Sequence, residues 1–170
     1  MLDLEKMSEL IALYETLDVK RWHREKIPAQ TTCDHSGKMA LLCISLHPNP
    51  SANLLKAIIL HDAEEYLTGD FPSEVKEQHP ELQKVEEKAR LDFLQMFELE
   101  NPFIKLTNDD FLWLKYLDRL EVLLYIETTV GSSNVHASDI FERQVEFVVT
   151  LENQLKACGY LTEPDNKNLQ

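Results

Sequence analysis

The chain has 170 residues, 44% hydrophobic and 28% charged, a balance that excludes a disordered polymer and suits one compact domain. Its 30 acidic against 17 basic residues give a formal net charge of −13, which excludes a surface built to grip long nucleic acid, where clustered cations must replace counterions. Only 4 Gly, and 3 cysteines (Cys33, Cys43, Cys158) with no CxxC pair, argue against a turn-rich β protein, a disulfide framework and a thiolate zinc site; an all-α protein of the reducing cytoplasm is expected.

Leu4, Met7, Ile11, Tyr14 and Leu17 recur at helical spacing and predict a first amphipathic helix. The same segment, MLDLEKMSELIALYETL, lacks a basic start followed by an apolar core, so no secretory leader is expected. No apolar run approaches membrane length, and no membrane partner is expected. The stretch KRWHREKIP gathers Lys20, Arg21, Arg24 and Lys26, and Pro28 followed by Thr31-Thr32 reads as loop. Asp34 is expected to cap a helix that runs through Met39, Leu42 and Leu46 until Pro48 stops it. Ser51 caps the next, which carries HDAEEYLTGD and breaks at Thr68-Gly69-Asp70-Phe71-Pro72.

From Pro80 to Leu99 a charged helix follows, with Leu82, Val85, Ala89, Phe93 and Met96 at helical steps and a solvated polar face. Thr107-Asn108-Asp109-Asp110 reads as a cap with acidic first-turn residues, opening a long helix to about Val130. Gly131-Ser132-Ser133-Asn134 ends it, and a last helix spans about Ala137 to Ala157. The tail TEPDNKNLQ, residues 162–170, is expected to fray. Neither a repeat nor a linker divides the chain, so residues 1–170 are expected to form one domain.

Chemistry concentrates where polar residues interrupt apolar helix faces. His61 shares a face with Leu54, Ala57, Ile58 and Glu65, and Asp62 lies next round, flanked by Ile58, Ile59 and Tyr66. Asp118 interrupts a stripe of Phe111, Leu114, Val122 and Tyr125, and His35 stands at a helix start with Met39 and Leu42 behind it. A buried carboxylate is costly without a positive partner, and the only lysine on its helix before Asp62 is Lys56, most of two turns away. A metal ion solves that problem, and two imidazoles with two carboxylates suit a divalent transition metal. Each residue also has a plain reading of its own: His35 bonded to a carbonyl, Asp118 paired with Lys115 or Arg119, Glu64 and Glu65 as solvated charges. Together those readings leave several polar interruptions unexplained.

The ordered set Arg21-Trp22, Asp34-His35-Ser36, His61-Asp62 with Glu65, Leu67-Thr68-Gly69-Asp70 with Pro72 and Val75-Lys76, and Asp118 in KYLDRLE resembles the HD-domain phosphohydrolases of the 5'-deoxynucleotidase type. It spans about residues 20–125. The resemblance implies a compact helical bundle in which His35, His61, Asp62 and Asp118 hold one divalent metal such as Co, Mn or Zn. It implies Glu65 as the catalytic acid or base, and Asp70 beside the 3'-hydroxyl or positioning Arg21. Arg21 would face phosphate or sugar, and Trp22 the sugar face, favouring deoxyribose. Lys20, Arg24, Lys26, Lys38 and Lys76 are the local cations for the remaining phosphate charge.

Two departures from the family pattern stand out: a short segment between His35 and His61, and Cys33-Asp34 before the first His in place of a small residue and Glu. In its compactness and its Lys20-Arg21-Trp22-His23 run, the chain is similar to phage enzymes that strip triphosphate from dATP. The substrate expected is therefore a deoxynucleotide, dATP first, with a dNMP-specific 5'-nucleotidase as runner-up. A di-metal HD protein would need further ligands from His47, His79 or His136, each beside a turn or helix end. A third possibility is an acidic adaptor with a dead HD core. A homo-oligomer is expected, from leftover faces on the first and last helices and from the family's habit.

Overall fold

The computed structural model describes residues 4–22, 26–131 and 134–161. Eight α-helices account for most of them: α1 (Leu4–Glu15), α2 (Thr32–Leu46), α3 (Ala52–Leu60), α4 (Glu65–Thr68), α5 (Ser73–Gln78), α6 (Leu82–Met96), α7 (Asn108–Thr129) and α8 (Ser138–Ala157). The only sheet among the described residues is a two-stranded ribbon, β1 (Lys20–Arg21) against β2 (Gln30–Thr31), antiparallel with Arg21 opposite Gln30. The fold is all-α, as expected.

Caps set where the helices begin. Thr31, not Asp34, caps α2: its hydroxyl accepts from the Asp34 backbone N–H at 3.1 Å, because an N-cap side chain must reach the amide three residues on. Asp34 instead adds a negative charge to the first turn. Ser51 caps α3 through the Leu54 amide, and Thr107 with Asp110 closes a reciprocal capping box at the start of α7. The segment expected to be one helix through HDAEEYLT is two: α3 stops at Leu60, residues 61–64 form a turn, and α4 resumes at Glu65. Gly69 ends α4 at φ 73°, a conformation that a residue with a Cβ resists. The short α5 went unanticipated, and the tail 162–170 lies outside the described residues.

The main core packs Met39 and Cys43 of α2, Leu54 and Ile58 of α3, Trp113 and Leu117 of α7, and Val148 and Leu155 of α8. A second cluster joins Ile27 to Val122 and Ile126 of α7, and a third joins Ala63 to Phe93 and Leu94 of α6. Phe111, expected on the buried stripe of α7, is exposed. Two of the expected apolar steps on α6, Val85 and Met96, are exposed as well, and Ala89, Phe93 and Leu94 form its buried face. The bundle thus clamps α2, the end of α3 and the middle of α7 together, which brings three distant stretches of chain to one place.

Candidate metal centre

His35, fully buried near the start of α2, is held by Glu121, three residues beyond Asp118 on α7. The two approach at 2.5 Å between His35 Nδ1 and Glu121 Oε2. A carboxylate there only accepts, so Nδ1 carries the proton and Nε2 presents its lone pair. His61 caps the end of α3 with helical dihedrals (φ −66°, ψ −30°), and its Nδ1 lies 2.8 Å from the Ile58 carbonyl oxygen. A carbonyl cannot donate, so His61 Nε2 is likewise the open nitrogen of the neutral ring.

The two Nε2 atoms face each other at 3.2 Å, and Asp118 Oδ1 lies 3.2 Å from His35 Nε2. One ligand atom from each of His35, His61 and Asp118 falls within 4.8 Å of the others. Asp62 Oδ2 is 3.2 Å from His61 Nε2 and 3.9 Å from His35 Nε2. Facing lone pairs repel unless a proton or a cation lies between them. Adjacent ligands about 2.0–2.1 Å from one ion stand about 2.8–3.0 Å apart in octahedral and about 3.3–3.4 Å apart in tetrahedral geometry, so the donor spacings and the mixed N/O set fit a divalent transition metal. The Glu121 contact supplies the outer partner that fixes a ligating imidazole.

The electrostatics lean the same way. Burial disfavours the His61 cation, but Asp62 and Asp118 outweigh it and push its pKa up to about 9. Burial also disfavours the ionised Asp62 and Asp118. Even so, His61, Arg21 and His35 hold the Asp62 carboxyl well below the usual range, and His35, Arg119 and His61 do the same for Asp118. These side chains favour positive charge at their centre.

Arg21 arrives from β1, its guanidinium Nη1 3.7 Å from Asp62 Oδ2. That nitrogen is buried and has no hydrogen-bond partner. Burial opposes the charge, yet Asp62, Asp118, Glu65 and Asp70 outweigh it and raise the Arg21 pKa. Arg21 is therefore the cation that α3, whose one lysine is Lys56, does not bring to Asp62. Glu65, expected by its plain reading to be solvated, is buried; its Oε2 has no hydrogen-bond partner, and burial reinforced by Asp62 pushes it up to about 9. Asp70, half-buried just past Gly69, acts on both Arg21 and Glu65 through its charge.

Trp22 follows with φ 65°, in the left-handed region that non-glycine residues rarely occupy, and stacks on Tyr125 at 6.3 Å between ring centroids and 3° between planes. The expected phosphate cations are less concentrated than the sequence suggests. Lys38 is exposed, bonded to Asp34 at 2.7 Å, with its ammonium 5.2 Å from the Tyr125 centroid; Lys76 pairs with Glu86 at 2.6 Å; Lys20 is exposed on β1. Lys26 is exposed too, and Arg24 lies outside the described residues.

Three connections went unread in the sequence. Glu121 fixes His35, where a carbonyl partner was the plain expectation; its signal is the i+3 spacing from Asp118. Gln30 joins Glu121 at 2.7 Å across 91 residues, a contact with no local signature. Arg90 of α6 donates to both carboxylate oxygens of Glu64 and, at 3.3 Å, to the His61 carbonyl, so Glu64 is a buried anchor of the 61–64 turn rather than a solvated charge. Asp118 approaches Arg119 only at 3.8 Å, and Lys115 is exposed. Of the spare histidines, His79 and His136 are exposed, but His47 is half-buried against the Trp113 and Tyr160 rings because it closes the far end of α2.

Among the described residues no helix is long and apolar enough to cross a membrane. No curated protein matches the chain at a significant level. A family model described as HD domain matches residues 16–153, from the ribbon through most of α8, and so covers His35, the His61-Asp62 pair and Asp118 together. With these side chains meeting around one cation-seeking point inside that span, the chain belongs to the HD-domain family of metal-dependent phosphohydrolases.

Proposed function

We propose that the protein hydrolyses the 5' phosphate ester of a deoxynucleotide, with dATP cleaved to deoxyadenosine and triphosphate as the leading reaction. The observation that carries this reading is a buried Arg21 guanidinium nitrogen with no hydrogen-bond partner, 3.7 Å from Asp62 and beside the convergent His35, His61 and Asp118 donors, where a phosphate can meet both. His35, His61, Asp62 and Asp118 hold one divalent ion, Co, Mn or Zn. Such an ion, when bound, polarises a phosphoryl oxygen and makes water more acidic.

The chain's own groups do the rest. Arg21 takes a phosphate oxygen through Nη1, and Asp70 keeps its guanidinium charged and in place. Glu65, with a buried oxygen that no protein group occupies, carries the proton of the hydrolytic step. Trp22, backed by Tyr125, packs on the sugar and leaves no room for a 2'-hydroxyl. Lys20, Lys38 and Lys76 meet the outer phosphates, Lys38 by leaving Asp34 and Lys76 by leaving Glu86. We also read the protein as cytoplasmic, consistent with its free cysteines, and as a homo-oligomer, consistent with exposed Met7, Leu10, Ile11 and Tyr14 on α1.

A second reading, a dNMP-specific 5'-nucleotidase, is favoured by one observation: Lys38 and Lys76 already face carboxylates, and a monophosphate needs fewer cations than a triphosphate. The test is product release from dNTPs, dNMPs and matching ribonucleotides with Co or Mn, wild type beside Asp62→Ala. Deoxyadenosine plus intact triphosphate from dATP, lost in the variant, supports the leading reaction. Turnover of dNMPs alone promotes the second, and turnover of nothing by metal-loaded protein refutes both.

A further inference from the structure

A buried polar chain leaves the metal centre in the direction of Trp22. His35 Nδ1 meets Glu121 Oε2 at 2.5 Å, Gln30 Nε2 donates to Glu121 Oε1 at 2.7 Å, and the Trp22 indole N–H donates to Gln30 Oε1 at 3.4 Å. Glu121 and Gln30 are each only 2% exposed, so water does not compete for these bonds. The chain runs one way only. An indole N–H can only donate and a carboxylate can only accept, so Gln30 must turn its amide nitrogen to Glu121 and its oxygen to Trp22.

The last link ends on a residue held in a costly conformation. Trp22 sits at φ 65°, a left-handed conformation that is unfavourable for an L-residue and persists only where its surroundings impose it. Two contacts impose it: the parallel stack on Tyr125, and the bond to Gln30, which the ribbon holds opposite Arg21. Tyr125 is fixed in turn by its hydroxyl, which donates to the Pro28 carbonyl at 2.8 Å.

We propose that Glu121 and Gln30 are positioning residues that couple occupancy of the metal centre to the posture of Trp22. His35, with a cation on Nε2, would hold its Nδ1–H more strongly to Glu121. Glu121 then settles against Gln30, and Gln30 fixes the indole. The substrate-facing wall is therefore set before a nucleotide arrives. The coupling deepens the functional reading above, which supplies the role of Trp22, but its first test needs no substrate.

That test is ¹⁹F NMR of full-length protein carrying 5-fluorotryptophan, titrated with Zn²⁺. Two resonances are expected, from Trp22 and from Trp113 in the apolar core; Trp22→Phe assigns them, and Asp118→Ala shows which changes need the metal site. In wild type the Trp22 resonance shifts on Zn²⁺ binding and the Trp113 resonance stays. In Gln30→Leu, Zn²⁺ still binds but the Trp22 shift is lost. Glu121→Gln is the second variant: it removes the double acceptor, weakens Zn²⁺ binding by about 10–100-fold, and also abolishes the shift at saturating metal. Where nucleotide turnover is measurable, Gln30→Leu loses discrimination between deoxy and ribo substrates more than it loses kcat. A Trp22 resonance indifferent to Zn²⁺ in wild type, or one that shifts unchanged in both variants, overturns the coupling. If the coupling holds while no nucleotide is turned over, the functional reading fails alone.

Discussion

The antiparallel helices α2 and α7 meet twice, and the two meetings are built differently. At one, Met39 and Cys43 pack with Trp113 and Leu117, His47 lies 4.7 Å from the Trp113 ring centroid, and Tyr160 covers them from the C-terminal side. At the other, His35 faces Asp118 and Glu121, with Ser36 Oγ beside it on α2 and the Arg21 and Glu65 atoms named above buried without a hydrogen-bond partner. The apolar end holds the helices together through burial, which tolerates small shifts. The polar end spends that stability on placing charged groups that would otherwise repel or demand water. The same two helices are thus a clamp at one end and a set of converging donors that could hold a metal at the other.

Substitutions at each end should separate these jobs. The largest effect is expected for Asp118→Ala, which should abolish metal retention and hydrolysis while leaving helical content intact; metal analysis of the purified variant and its circular dichroism check both halves. Trp113→Ala should do the reverse, costing about 3–5 kcal/mol of stability by denaturant unfolding, while the folded fraction still binds metal. Equal losses of metal and stability in both variants would break the comparison.

A smaller effect is expected from pH. In metal-free protein, Glu65 has its pKa raised from 4.5 to about 9, so the folded state keeps a proton that the unfolded chain releases. Stability from this group is full below about pH 4.5 and falls as pH rises towards about 9. His61, raised from 6.5 to about 9, adds a fall of the same sign over the upper part of that window. The melting temperature in the presence of a chelator should therefore drop between about pH 5 and about pH 8, and Glu65→Gln should flatten the drop, leaving mainly the His61 part above about pH 6.5. A wild-type protein that grows more stable over that range would contradict the burial of a neutral Glu65.

How much of this was legible in the sequence follows from the physics of each signal. The caps Ser51 and Thr107 and the long helix α7 were readable, because cap chemistry and helical periodicity are local. The split at residues 61–64 was not, because His61 keeps helical dihedrals and the apolar spacing runs through it unbroken. His61, Asp62 and Asp118 announced themselves as polar residues on apolar faces. Glu121 stood on the same face as Asp118, but an acidic residue in a charged helix reads by default as solvated, and its partner lies 86 residues away. The local cations misled in number, since sequence proximity gathers lysines without showing which of them, like Lys38 and Lys76, are already paired.

In the proposed centre, two imidazoles of fixed tautomer and the Asp118 carboxylate surround one divalent ion. The most direct measurement is anomalous diffraction from crystals grown with Co²⁺. One strong peak is expected about 2.0–2.2 Å from His35 Nε2, His61 Nε2 and an Asp118 oxygen, with Asp62 completing the set. No peak there, or a strong peak held by other side chains, would contradict it.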